Sequence, residues 1–123
     1  MKLIIQQRSE TPIYEQLYSE IVSQILKGKL AANECLPSIR VIARELEISV
    51  IPVKTAYEML EKDGYIYTVQ GKGCFVRDLG SDLYRKKQQL VEQRVVELAE
   101  FARQIDLPDN ETLLMVEKHL GHS

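Results

Sequence analysis

Residues 36–64 read LPSIRVIARELEISVIPVKTAYEMLEKDG, and the fold turns on how many helices that stretch holds. Pro37 and Ser38 open one helix: proline tolerates a first helical turn, and serine is a preferred N-cap. Ile39, Ile42, Ala43 and Leu46 then recur at helical spacing, while Arg40 and Arg44 stand four apart on another face. Two linking residues follow Leu46. Ser49 is a second capping type, and the next helix is expected from about Val50 to Asp63, ending at Gly64. Val53, Ala56, Tyr57 and Leu60 form its inner face. Two short helices joined by a tight turn predict a helix-turn-helix.

Upstream, Thr11 and Pro12 supply an N-cap and a proline at the first helical position. Ile13, Leu17, Ile21 and Ile25 recur every four residues, with Tyr14, Tyr18 and Val22 alongside, which is the signature of an amphipathic helix ending at Lys27 and Gly28. Before it, KLIIQ at 2–6 is a short β-like run. A loop is expected over 30–36. Downstream, YIYTVQGKGCFV at 65–76 places two β-rich runs around QGKG, a hairpin signal with glycine-dependent turn geometry. A hairpin directly after a helix-turn-helix outlines a winged helix.

Asp78, Leu79 and Gly80 form a linker, after which Ser81 caps a long helix to about Ile105. Leu83, Leu90, Val91, Val95, Leu98, Phe101, Ala102 and Ile105 give it an apolar stripe. Asp106, Leu107 and Pro108 break it. Asp109 or Asn110 caps a last helix carrying Leu113, Leu114, Met115, Val116 and Leu120 and stopped by Gly121. Two helices alone cannot build a core, so their stripes need a partner surface. A symmetric copy of the chain is the simplest one; folding back on the N-terminal domain is the alternative. The expected architecture is mainly α with a small β-hairpin: a winged helix-turn-helix over 1–77 and a two-helix dimerisation region over 81–121. Leu90, Val91, Val95, Leu98, Phe101, Ala102, Ile105, Leu113 and Leu114 are the expected dimer-forming residues.

The chain has 123 residues, 45% of them hydrophobic and 28% charged, which fits one small globular domain or a domain with an appendage. No apolar run is long enough to span a bilayer, and MKLIIQQRSE turns polar too early for a signal peptide, so a cytoplasmic protein is expected. Cys35 and Cys74 lack CxxC spacing and read as small hydrophobes rather than a disulfide or metal pair. His119 and His122 read as part of a frayed terminus. No nucleophile–base set, metal-ligand cluster or phosphate loop is present, and GKG in a hairpin lacks the helix a P-loop requires, so neither an enzyme nor a cofactor is expected. Net charge is −2, yet residues 1–80 balance at ten basic and ten acidic side chains. Any basic face must therefore come from arrangement rather than excess.

LPSIRVIARELEIS, a following helix that ends at Leu60, Glu61 and Gly64, and the wing Gly71-Lys72-Gly73-Cys74-Phe75-Val76 together resemble the GntR family of bacterial transcription regulators. The family patterns are LPSxRxLAxxLxVS and GxGxFV, and the likeness covers about residues 10–77. The short C-terminal part is similar to the small YtrA-like subfamily, in which the last helices serve mainly for dimerisation. The resemblance implies a homodimeric DNA-binding regulator acting on a palindromic operator, often as a repressor of transporter operons. It names no effector.

In such a domain the second helix of the pair enters the major groove and the first crosses the backbone. The resemblance puts Arg40 on phosphate or a guanine edge, with Ser38 beside it. Arg44 either extends that contact or pairs with Glu47. Ser49 can reach a phosphate, Lys54 neutralises one, and Gln70, Gly71, Lys72 and Gly73 form the wing that approaches the minor groove. The chain departs from the family at Val50, Ile51 and Pro52, where relatives carry hydrogen-bonding side chains. Aliphatics at that tip can pack on thymine methyls. They also motivate a competing reading, a winged helix that contacts proteins and has lost DNA binding.

Overall fold

A computed structural model describes residues 1–121 and divides into two compact units, Met1–Gly80 and the segment from Ser81 onward. The first unit holds α1 (Ile13–Leu26), α2 (Ile39–Leu46), α3 (Val50–Lys62), β1 (Ile66–Val69) and β2 (Gly73–Val76). The second holds α4 (Asp82–Gln104) and α5 (Asp109–His119).

The core of the first unit lies where α1 and α2 both pack on α3 and the hairpin closes the end. Leu17, Ile21, Ile42, Val53, Leu60 and Ile66 are fully buried there. Each of the larger aliphatics contributes about 1.5–3 kcal/mol by leaving water. The buried positions of α1 and α3 match the helical spacing of the sequence, because one stripe of each faces the shared interior.

Helix ends explain how the chain changes direction. Ser38 caps α2 through its side chain, accepting from the Val41 N–H at 3.2 Å. The α2–α3 corner is made by Glu47 in the left-handed region, φ 57°, with the Ile48 N–H reaching back to the Ala43 carbonyl at 2.9 Å. At the end of α3, Gly64 sits at φ +81° and the Tyr65 N–H bonds the Leu60 carbonyl at 2.9 Å. This Schellman-type ending delivers the buried Tyr65 directly into β1.

β1 and β2 pair antiparallel with Ile66 opposite Val76 and Val69 opposite Gly73. Residues 33–36 run along the outer edge of β2. Cys35 bridges Phe75, and the Leu36 N–H bonds the Cys74 carbonyl at 2.8 Å. The expected loop over 30–36 is thus partly a third strand position. Because Cys35 lies opposite Phe75, its side chain and that of Cys74 point to opposite faces of the sheet, which separates the two thiols.

Several boundaries differ from the sequence reading. Residues 2–6 form no strand; Met1, Leu3 and Ile5 pack on the core while Lys2 and Ile4 face solvent. Their backbone is tied by glutamine side chains instead: Gln24 donates to the Lys2 carbonyl at 2.8 Å, and Gln16 bonds both the N–H and the carbonyl of Gln6. Pro12, not Thr11, is the N-cap of α1, and its carbonyl accepts from Glu15 and Gln16. Ser49 and Ser81 occupy N-cap positions without a side-chain capping bond. Pro108 caps α5, so Asp109 lies inside the helix. His119 is the last residue of α5 rather than part of a frayed end, and His122 lies outside the described residues.

In the second unit, Asp106 at φ 60° turns the chain between helices, and the Leu107 N–H bonds the Ala102 carbonyl at 2.9 Å. Arg103 clamps Asp109 through two hydrogen bonds of 3.3 and 3.2 Å, which raise the pKa of its guanidinium. Ala102, expected on the dimer face, is instead buried beside this turn at 4% exposure. It is the one buried residue among those described in the two helices. The other expected dimer residues are all exposed.

Candidate nucleic-acid interface

The first unit presents a helix pair and a hairpin whose mutual positions are tied at several points. The Tyr57 hydroxyl, on the core face of α3, donates to the Pro37 carbonyl at 2.6 Å, one residue before the α2 cap. Tyr57 is nearly fully buried. Burial pushes its phenol pKa up, with smaller contributions from Cys74 and Cys35. The Thr68 hydroxyl of β1 bonds both carboxylate oxygens of Glu61 on α3, at 2.9 and 3.1 Å, and so fixes the hairpin to the helix. At the far end of α3, Asp63 accepts a hydrogen bond from Tyr18 of α1. Burial, then that bond and the Asp63 charge, raise the Tyr18 pKa. Tyr65 packs edge-on against Tyr18 and is also raised, again chiefly by burial.

On this frame the expected contact residues are nearly all at the surface. Ser38, Arg40, Arg44, Ser49, Val50, Ile51, Lys54, Gln70, Gly71, Lys72 and Gly73 are exposed, and Pro52 is half-buried. Arg40 and Arg44 sit one turn apart on α2. Arg44 makes no ion pair with Glu47, and among the described residues neither Arg40, Arg44, Lys54 nor Lys72 is engaged in a salt bridge. The first turn of α3 contains no acidic residue. The Ser38 hydroxyl accepts from the helix and keeps its own proton for an outside acceptor. The Ser49 hydroxyl is not used in capping at all.

The hairpin tip is a tight turn in which the Lys72 N–H bonds the Val69 carbonyl at 2.9 Å. Gly71, the third residue of that turn, has φ +80°, a position that favours glycine and leaves the tip without a side chain to obstruct close approach.

The sequence reading missed the outer face of the hairpin. Tyr67 and Phe75 stack with ring centres 5.6 Å apart, Arg77 lies 5.6 Å above the Tyr67 ring, and the Tyr67 hydroxyl bonds Asn33 at 2.9 Å. Alternation within YIYTV and CFV places Tyr67 and Phe75 on one face, and cross-strand pairing brings them together. Arg77 is thereby an exposed cation set over an aromatic ring at the hairpin base.

Three helices followed by a two-stranded wing, with unpaired cations on the helix pair, define a winged helix-turn-helix. The chain belongs to the gntR family of bacterial regulatory proteins, whose pattern matches residues 13–76. It is 33% identical over 101 residues to the HTH-type transcriptional repressor YtrA of Bacillus subtilis (strain 168), covering 82% of this chain and 73% of that one. Among solved structures it resembles YtrA from Sulfolobus acidocaldarius, a GntR-family transcription factor, with TM-score 0.61 and 32% identity over 77% of this chain and 97% of that one. It also resembles the AraR DNA-binding domain in complex with operator ORR3, with TM-score 0.52 and 28% identity over 62% of this chain and 92% of that one. Membership places the chain among regulators rather than enzymes. No helix among the described residues is long and apolar enough to cross a membrane.

Proposed function

We propose that this chain is a homodimeric, sequence-specific DNA-binding repressor that recognises an inverted-repeat operator. The observation that carries the reading is the set of exposed cations on α2, α3 and the wing, Arg40, Arg44, Lys54 and Lys72, none of them in a salt bridge among the described residues. The unit as a whole has no basic excess, so a cationic face comes from the placement of these four, which remain available to phosphates. α3 then lies in the major groove with its N-terminal turn on base edges. Arg40 and Ser38 hold the backbone beside it, and the wing approaches the neighbouring minor groove. The likeness to a repressor of similar length and to an operator-bound domain supports this assignment.

Dimerisation through α4 and α5 completes the proposal. Leu90, Val91, Val95, Leu98, Phe101, Ile105, Leu113 and Leu114 expose an apolar surface on helices that bury almost nothing themselves. A two-helix unit of this kind gains stability by covering that surface, and a second copy supplies the same stripe in return.

The test is selection of duplexes from a randomised pool by the full chain. The expected product is an inverted repeat with half-sites about one helical turn apart or a multiple of it. Failure to enrich any duplex at low salt removes the DNA-binding reading and favours a protein-contacting winged helix.

A further inference from the structure

The first turn of α3 is apolar where the proposed interface needs a reading head. Val50 is 46% exposed and Ile51 71% exposed, although Val53, Ala56, Tyr57 and Leu60 of the same helix are buried. The two residues are thus outside the core, and the packing of α3 does not require them to be aliphatic.

Their setting is rigid. Both are β-branched, which restricts each side chain at χ1. Pro52 stiffens the same turn at a position where a helix has no internal N–H bond to lose. Tyr57 and Val53 anchor the helix one turn further in. Lys54 follows on α3, Arg40 and Arg44 stand on α2 together with the exposed acids Glu45 and Glu47 at its end, and the first acid on the exposed side of α3 is Glu58, beyond Lys54. An exposed apolar tip followed on its own helix by a cation suits a major groove, where phosphates flank a floor of base edges. It is also far too small for a stable protein contact, which takes about 20–30 residues a side. The larger apolar surface, on α4 and α5, is the one suited to a second copy.

In the major groove only one of the four standard bases presents an apolar group, the C5-methyl of thymine. We infer that Val50 and Ile51 are specificity-determining residues that recognise thymine methyl groups, so that A·T pairs occupy the positions under the α3 tip. This rests on the DNA-binding reading above and adds the chemistry by which bases are chosen. Side chains without donors or acceptors cannot read guanine or cytosine edges by hydrogen bonding. They select by covering methyl groups and by leaving the polar edge of a G·C pair without a partner in a desolvated contact.

The experiment uses the full chain and a duplex selected by it from a randomised pool. Each thymine of a half-site is replaced in turn by deoxyuridine, which keeps the O4 acceptor and the pairing with adenine and removes only the methyl. For the unmodified chain, one or two of these replacements are expected to weaken binding about fourfold each, the equivalent of one buried methyl(ene). Ile51→Ala and Val50→Ala are each expected to bind the thymine and deoxyuridine duplexes equally at the position they read. Indifference of the unmodified chain to every replacement overturns the inference while leaving DNA binding intact, and needs no folded variant. Retention of the full thymine preference in both alanine variants overturns it as well, by assigning the methyl contact elsewhere. Failure to enrich any duplex defeats the DNA-binding reading and this inference with it.

Discussion

The Tyr57 hydroxyl donates to the Pro37 carbonyl at 2.6 Å, joining the core face of α3 to the entry of α2. Pro37 immediately precedes the Ser38 cap, so this bond, with the packing of Ile42 and Ala43 on α3, helps to place Arg40 relative to the α3 tip. Tyr57→Phe keeps the ring and removes the bond, leaving a carbonyl short of its partner. A loss of about 1–2 kcal/mol in urea unfolding is expected.

Alkaline pH tests the same group by another route. The folded-state pKa of Tyr57 is raised by burial, and that of Tyr18 by burial and by its bond to Asp63. A raised phenol pKa means that the neutral form is favoured in the fold. Its contribution is complete below the unfolded value of about 10 and is lost as pH climbs toward the folded value. Stability should therefore fall above about pH 10, and less steeply in Tyr57→Phe than in the unmodified chain. Equal slopes in the two proteins would falsify the role of Tyr57.

Glu47 holds the left-handed corner between α2 and α3 at φ 57°. A residue with a Cβ is strained there and glycine is not. Glu47→Gly should raise stability by about 0.5–1 kcal/mol, the relief of strain less the added entropy of the unfolded chain. A lowered thermal midpoint would mean that the Glu47 side chain supplies a compensating interaction.

Much of this arrangement was legible in the sequence because it depends on periodicity. Leu17, Ile21 and Ile25, or Val53, Ala56 and Leu60, announce both a helix and its buried side. The wing was legible from its glycines, since positive φ at Gly71 and Gly73 needs that residue type. Non-local pairing was not. KLIIQ alternates like a strand because Met1, Leu3 and Ile5 do turn inward, but it has no neighbouring strand, and its ties are side chains of Gln16 and Gln24 on α1. The bridge of Cys35 to Phe75 and the bond from Tyr57 to Pro37 likewise join residues far apart in sequence. Exposure of the contact residues followed from helical facing. That no described carboxylate pairs with Arg40 or Arg44 is a three-dimensional fact that spacing could not supply, as Glu47 was an equally good partner on paper.

Dimerisation is tested at Phe101, which is 59% exposed on a helix that buries only Ala102 among the described residues. Phe101→Asp adds a charge that must be desolvated if the stripe is covered. Sedimentation should shift from dimer to monomer, with the circular dichroism of the winged helix retained. Operator affinity should fall by about 100-fold or more, because two half-sites then bind independently. A variant that remains dimeric places the interface elsewhere.

The most direct test of DNA recognition by the α2–α3 face is the salt dependence of operator binding. Affinity of the unmodified chain should fall linearly on a log–log plot, with a slope of about −0.9 for each phosphate neutralised. Lys54→Ala should flatten that slope by about one unit, and Arg40→Ala should abolish specific binding while the dimer persists. A flat salt profile, or an Arg40→Ala variant that binds its operator as tightly as the unmodified chain, would contradict the account.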